Sequence, residues 1–151
     1  MAHPNYQDPG VSGQGLFYAN SKITNSQLSP ELFKKWYEED HIPDIFRSGT
    51  ISAAFRYQSI TPDSVERPYL ALYPLRDVAA LQSKEFKSIR VHSELLPGGR
   101  DGAPIFEYVD FSVRYYTHIE SRYRKLSQGR WLNSIWAVSY THLTLPTKRI
   151  V

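Results

Sequence analysis

The sequence predicts an α+β fold, in which two helices cover one face of a four-stranded antiparallel sheet. Two observations support this prediction. Apolar and polar residues alternate with the period of a β-strand in four segments, and they recur with the period of an amphipathic helix in two others. The chain has no cysteine, so disulfides cannot stabilise the fold. The roughly 100 residues from Gly15 onward must therefore bury one modest apolar core.

The first helix has the clearest signals at both ends. Ser29 is a suitable N-cap, and Pro30 fits the first turn, where a backbone N–H is not needed. Pro43 lacks a donor and disfavours a helical residue before it, which predicts a kink near His41. Gly49 is expected to end the segment.

Shorter patterns predict the remaining elements. Asp77 is a suitable N-cap for a second helix at residues 78–89. The four strands are predicted at residues 15–23, 51–60, 68–75 and 105–116. The order is therefore βαββαβ, which is the split βαβ or ferredoxin-like arrangement.

Both faces of the predicted sheet carry apolar or aromatic residues. The face that we assign to the helices contains Phe17, Ala19, Leu70, Leu72, Val109, Phe111 and Val113. The opposite face contains Tyr18, Asn20, Tyr69, Ala71, Tyr73, Tyr108 and Asp110. The tyrosines on this second face suit a buried surface on which each hydroxyl keeps a partner. We therefore expect a second copy of the chain to pack there and form a homodimer.

Charge and hydropathy exclude two classes of partner. Residues 1–118 contain 12 Lys and Arg against 14 Asp and Glu, whereas residues 119–151 contain 6 against 1. The sequence pI of about 9.1 thus belongs to the end of the chain, and the main part shows no basic stripe for nucleic acid. No apolar run reaches the ~20 residues of a membrane span. We expect a cytoplasmic protein.

Several kinds of reactive site are also not predicted. Histidines and acidic residues are too scattered to form a metal site. Glu39 and Asp40 are adjacent on a helix and diverge by ~100°, so they do not form a carboxylate pair. The chain has no Gly-rich phosphate loop in a strand-to-helix setting and no serine in a nucleophile elbow.

The two ends of the chain are expected to lie outside the domain of residues 15–118. Residues 1–14 are interpreted as a flexible leader, because they lack the apolar region of a signal peptide. Residues 138–147 resemble the translated end of a widely used transposase sequencing adapter. We therefore interpret residues 119–151 as a non-native or disordered tail. One observation opposes this interpretation. Trp131, Ile135 and Trp136 have the spacing of a short amphipathic helix that can pack on the domain.

The run Phe-x-x-Trp-Tyr-x-x-x-His-x-Pro at residues 33–43, in this βαββαβ order, resembles the helix motif of the dimeric α+β barrel superfamily. Over about residues 15–116 the chain is most similar to the fungal EthD-like proteins of that superfamily. Its members include cofactor-free monooxygenases, polyketide cyclases, decarboxylases, lactone isomerases, haem-using enzymes and stress proteins. No residue matches a haem ligand of the family, so we expect no cofactor. Many similar fungal chains are longer, with a second half after the fourth strand.

His41 is the candidate catalytic residue, since it matches the histidine of that motif. Phe33, Tyr37 and His41 are spaced i, i+4, i+8 and share one helix face. An imidazole titrates near neutral pH, so it can act as a general base or acid beside a carbonyl group. The alternative is a buried structural histidine bonded to a backbone carbonyl or to an acid such as Asp44.

Four residues are candidates for substrate binding: Trp36, Tyr37, Tyr57 and His92. Tyrosines can line a pocket for a planar aromatic ligand, with hydroxyls that hold phenol or carbonyl oxygens, although each one can equally pack in a dimer interface. His92 follows the second predicted helix. It lies either at the mouth of the same cavity or in a loop without function.

The sequence therefore predicts a small cofactor-independent enzyme that acts on a polyketide-like or phenolic substrate by proton transfer. Decarboxylation, cyclisation, dehydration and oxygenation all remain open. The alternative is a non-catalytic barrel protein of the stress-response or ligand-binding type. An enzyme needs a cavity that reaches His41, whereas a scaffold can fill that space with side chains.

Overall fold

A computed structural model describes residues 10–122, and among them one antiparallel sheet of four strands carries one main helical segment. The strand order is β2-β3-β1-β4. The strands are β1 at Gly15–Ile23, β2 at Phe55–Gln58, β3 at Tyr69–Leu75 and β4 at Val109–Thr117. The prediction of an α+β fold is confirmed.

The main helical segment consists of helix α1 at Pro30–Trp36, a π-helical turn at Tyr37–His41 and helix α2 at Ile42–Arg47. The side chain of Ser29 caps it by accepting a hydrogen bond from the Leu32 N–H at 3.1 Å. This bond satisfies one of the amide groups that have no partner inside the helix. The predicted N-terminus of the segment is thus confirmed.

The kink predicted near His41 is the π-helical turn. Pro43 has no N–H to bond to the carbonyl group four residues before it. In the same turn the N–H of Ile42 bonds to the carbonyl oxygen of Tyr37, five residues back. Gly49 follows α2 with a φ of 72°, a backbone conformation that favours glycine, and it ends the segment as predicted.

The prediction of a second long helix at residues 78–89 is wrong. A 3₁₀ turn occupies Val78–Gln82, and helix α3 is a single turn at Lys84–Lys87. Ser83 separates them with an extended backbone, and its hydroxyl accepts a hydrogen bond from the Phe86 N–H at 3.1 Å. A serine hydroxyl that competes with the backbone in this way divides a helix into two short pieces.

The face assignment of β3 is also wrong. Tyr73 pairs with Phe17 and Ala71 pairs with Ala19, so these β3 residues face the helical segment. Leu72 pairs with Tyr18 on the opposite face. Because side chains alternate along a strand, this register exchanges the two sets of β3 residues. The predicted faces of β1, and of β4 from Val109 onward, agree with the observed pairing.

Tyr108 does not lie on the exposed sheet face, where the sequence placed it. It precedes β4 at the end of a 3₁₀ turn at Ile105–Glu107, and its side chain is buried. Its hydroxyl donates a hydrogen bond to the carbonyl oxygen of Pro97 at 2.8 Å. The fourth strand is therefore shorter at its start than predicted, because this turn ties the chain to the preceding loop.

The sheet surface opposite the helical segment is called the outer face here. Its apolar and aromatic residues are half-buried or exposed, apart from the buried Pro74, and they are Leu16, Tyr18, Phe55, Tyr57, Leu70, Leu72, Pro74 and Tyr116. The outer face is therefore richer in leucine and poorer in tyrosine than the sequence pattern predicted, but it remains apolar.

Backbone contacts divide the chain after His118. The predictions for residues 1–9 and for the tail segment with Trp131, Ile135 and Trp136 lie outside the described residues. Within residues 10–122, no helix has the length and apolar character required to cross a membrane.

Candidate functional site

A cavity of about 200 Å³ lies between the helical segment and the inner face of the sheet. It is called the inner cavity here. Most of its lining is aliphatic or aromatic, and the polar lining residues include His41, three tyrosines, Lys87 and Arg90. A largely apolar cavity with a few polar groups is the usual form of a small-molecule site.

Three aromatic rings from adjacent strands line one side of the inner cavity. Phe17 of β1 stacks on Tyr73 of β3 with ring centroids 5.1 Å apart, and on Tyr115 of β4 at 5.4 Å. The interplanar angles are 22° and 20°, so the three rings are nearly parallel. Phe86 packs edge-on against Phe17 at 5.7 Å. Cross-strand aromatic pairs of this kind stabilise the sheet and give the cavity an aromatic floor.

The π-helical turn places His41 at the same cavity. The imidazole stacks on the Trp36 ring, with centroids 4.4 Å apart and an interplanar angle of 14°. Tyr37 meets it edge-on, with centroids 5.3 Å apart and an angle of 79°. Trp36 and Tyr37 are each 2% exposed, so these contacts fix the orientation of the imidazole from two sides.

Two buried tyrosines supply neutral hydroxyl groups beside the inner cavity. Burial raises the pKa of Tyr37 to about 12, although the nearby Arg56 and the Tyr73 hydroxyl act in the opposite direction. The guanidinium of Arg56 lies 3.9 Å from the centroid of the Tyr37 ring. Burial also raises the pKa of Tyr73 well above its usual value. Both phenols therefore stay protonated at neutral pH.

The hydroxyls of Tyr37 and Tyr73 interact with each other electrostatically. The Tyr73 oxygen nevertheless has no partner at proper hydrogen-bond geometry among the described residues. The two hydroxyls therefore lie near each other without forming a hydrogen bond.

Asp44, the acid that the sequence suggested as a partner for His41, is engaged by two arginines. Its carboxylate accepts hydrogen bonds from the Arg47 side chain at 2.6 Å and from the Arg90 backbone N–H at 3.0 Å. Burial by itself would raise the pKa of Asp44. The hydrogen bonds and charge of Arg90, together with the charge of Arg47, outweigh burial and hold this pKa below its usual value.

Arg90 also joins the helical segment to the chain after α3. Its guanidinium contacts Asp40 at 2.9 Å and Asp44 at 3.4 Å. The surrounding segment, residues 89–91, lines both the inner cavity and a separate open cleft on the other side. This segment is therefore a wall between the two spaces.

The structure brings together three of the five residues predicted for the site and places two elsewhere. Trp36, Tyr37 and His41 all line the inner cavity. Tyr57 lies on the outer face of the sheet with 46% of its surface exposed. His92 is exposed and lines the open cleft beyond residues 89–91, and it does not line the inner cavity.

Sequence reasoning missed three residues of this region: Arg56, Tyr73 and Tyr115. For Tyr73 and Tyr115, the alternation of side chains along each strand was the available sequence signal. Both residues share a face with Phe17 once the strands are paired. Within residues 10–122, no group of three or more His, Cys, Asp or Glu side chains could hold a metal ion.

Half of the chain is similar to a curated protein from a fungus. It is 38% identical over 74 residues to core atranone cluster (CAC) protein 1 of Stachybotrys chlorohalonatus (strain IBT 40285). The match covers 49% of this chain and 31% of that protein, so the matched part spans less than a third of the relative. No family model matches the chain, and no solved structure matches it.

Proposed function

We propose that this chain is an enzyme of fungal secondary metabolism that acts on a phenolic or polyketide-like substrate by proton transfer, with His41 as the group that moves the proton. The observation that carries the proposal is the inner cavity, which reaches His41. A histidine with a purely structural role needs no adjoining space. The reaction is proposed to need no cofactor.

The size of the cavity indicates a substrate with one aromatic ring. The inner cavity measures about 200 Å³. An apolar cavity of about 150 Å³ in another protein accepts benzene, so one ring with small substituents fits here. The stacked rings of Tyr73, Phe17 and Tyr115 give the cavity an aromatic side against which such a ring can pack.

The chemistry of the lining fits proton transfer next to a carbonyl group. Histidine is the side chain used most often as a general acid or base, so His41 is the group that we propose moves the proton. The protonated hydroxyls of Tyr37 and Tyr115 are donors for a carbonyl oxygen on which negative charge develops. Decarboxylation, cyclisation and dehydration of a phenolic substrate each include a proton transfer, as does oxygenation, in which dioxygen is the oxidant.

The relative supports the metabolic context of this proposal. Its name assigns it to an atranone cluster in a fungus. The helix motif around His41 and its resemblance to the EthD-like proteins support the same class of chemistry. We extend this context to the present chain as part of the proposal.

The proposed assembly is a homodimer of ferredoxin-like domains that pair through the outer face, as in a dimeric α+β barrel. The strand order β2-β3-β1-β4 supports the ferredoxin-like arrangement. Tyr57 and Tyr116, 46% and 47% exposed on this face, support its burial by a second copy. In this assembly the inner cavity lies on the side of the sheet away from the partner.

Hydrogen exchange of a test compound examines the proposed chemistry directly. The full chain is incubated in D₂O with 2,4-dihydroxyacetophenone, which has one ring, two phenols and exchangeable C–H bonds beside a carbonyl. We expect the protein to accelerate deuterium incorporation, followed by NMR, and the His41→Gln variant to lose this effect. His92→Gln is the matched control, because His92 lies outside the inner cavity.

The alternative is a ligand-binding protein without a reaction, since a cavity alone also fits that role. In that case the compound binds but its C–H bonds exchange at the rate seen without protein. Equal exchange rates for the wild type and His41→Gln would likewise contradict the proposed role of His41.

A further inference from the structure

The charged side chains that line the inner cavity are all cationic among the described residues. They are Lys87, at the end of α3, and Arg90, and no Asp or Glu lines this space. Residues 10–122 as a whole contain 13 Lys and Arg and 14 Asp and Glu. The positive character of the cavity is therefore local and does not follow from the net charge of the domain.

Lys87 differs from Arg90 in its partners. Arg90 is bound to Asp40 and Asp44, at 2.9 and 3.4 Å. No carboxylate of the described residues lies within ion-pair distance of Lys87, which is exposed at the cavity. The charge of Lys87 is thus not balanced by a carboxylate of the described residues, whereas that of Arg90 is.

The neutral polar groups of the lining point to the same kind of ligand. Burial raises the pKa of Tyr37, Tyr73 and Tyr115, so their hydroxyls remain hydrogen-bond donors at neutral pH. A lining of cations and donors stabilises a negatively charged ligand. A carboxylic acid is ionised at neutral pH, whereas a simple phenol, with a pKa of about 10, is not.

We propose that the inner cavity binds a single-ring aromatic carboxylate, whose carboxylate group is held by Lys87 and whose ring packs against the side of the cavity formed by Tyr73, Phe17 and Tyr115. This inference rests on the proposed function for the site and adds the substrate class. Lys87 is thereby assigned a role in substrate specificity that no residue of the helix motif supplies.

Two compounds of the same size and shape test the proposal. Salicylate and salicylamide share one ring and one phenol, but only salicylate carries a carboxylate. Each is titrated calorimetrically into the full chain at low ionic strength. We expect salicylate to bind at least about tenfold more tightly, because a charge-assisted hydrogen bond is lost in the amide. The difference should shrink as salt is added.

Three variants locate the source of this preference. Lys87→Gln should bind the two compounds equally, and Lys87→Arg should keep the preference because it keeps the charge. Lys84→Gln is the matched control, since Lys84 lies on the same helical turn but does not line the cavity. It should retain the wild-type difference.

Equal affinity of the wild type for the two compounds would overturn the proposal, as would a Lys84→Gln effect as large as that of Lys87→Gln. Absence of binding by both compounds at millimolar concentration would also overturn it. The binding measurement is independent of the chemistry of His41. A preference for salicylate without accelerated hydrogen exchange would refute only the proposed reaction. Accelerated exchange without a preference for salicylate would refute only the proposed carboxylate substrate.

Discussion

The imidazole of His41 lies parallel to the indole of Trp36, with ring centroids 4.4 Å apart. Two residues that are five positions apart diverge by about 140° on an ideal α-helix and would not stack. The π-helical turn at Tyr37–His41 inserts the extra residue that brings both rings to the same side. The local distortion next to Pro43 thus creates the arrangement at the inner cavity.

Replacing His41 separates its structural role from its chemical role. His41→Phe should keep the stack on Trp36 and leave the free energy of unfolding near the wild-type value. His41→Ala should lose about 1 kcal/mol, the usual contribution of an aromatic pair. Both variants should lose the accelerated exchange. Urea unfolding and NMR measure the two effects, and exchange that persists in His41→Phe would contradict the proposed proton transfer.

Tyr37 should make the protein less stable in strong base. Its pKa in the folded protein is about 12, above its value of 10.0 in an unfolded chain, because the charged form is not solvated when buried. The stability that this shift provides is complete below pH 10 and is lost progressively between pH 10 and about pH 12. Tyr37→Phe should therefore show a smaller fall in urea midpoint across this range. Tyr57→Phe, at an exposed tyrosine, should retain the wild-type fall.

Asp44 should stabilise the protein at pH values above the usual pKa of a carboxyl group, and this stabilisation should be lost in acid. Its folded pKa lies below the ordinary value of 3.8, so its contribution is present above pH 3.8 and disappears as the pH falls through the folded pKa. Asp44→Asn should reduce the free energy of unfolding by about 1–3 kcal/mol at pH 7. Urea unfolding at several pH values should show the two proteins converging in acid. Asp63→Asn, at an exposed site, should match the wild type throughout.

The outer face should form the homodimer interface. Sedimentation of the wild type at micromolar concentration should give a dimer, and Leu72→Glu should give a folded monomer, because a buried charge without a partner opposes association. Ser52→Glu, at an exposed residue before β2, is the control and should remain a dimer. A compact monomeric wild type would refute this assembly.

Truncation after Ser121 should leave the melting temperature within a few degrees of that of the full chain. From the sequence we expect that Leu143, Leu145 and Ile150 are too few apolar residues to offset the entropy of ordering the tail, about 1–2 kcal/mol per residue for the backbone. A larger fall, corresponding to about 1 kcal/mol, would show that the tail packs on the domain.

Local signals in the sequence accounted for the elements whose cause is local. Ser29 and Gly49 marked the ends of the helical segment, and Pro43 marked its distortion, because capping and the missing proline N–H act within a few residues. The prediction of a second helix at residues 78–89 was wrong for a local reason as well. The hydroxyl of Ser83 competes with the backbone, and helical periodicity does not report that competition.

The sequence by itself determined the α+β class, the helical segment and the grouping of Trp36, Tyr37 and His41. Tertiary structure alone decided which residues of β3 face the helical segment, because the residues on both faces of this strand are apolar or aromatic. Only pairing with β1 selects which set is buried. The pairing of β2 with β3 removed Tyr57 from the site, and the pairing of β3 with β1 added Tyr73. In both cases the neighbours of a strand residue are set by contacts distant in sequence.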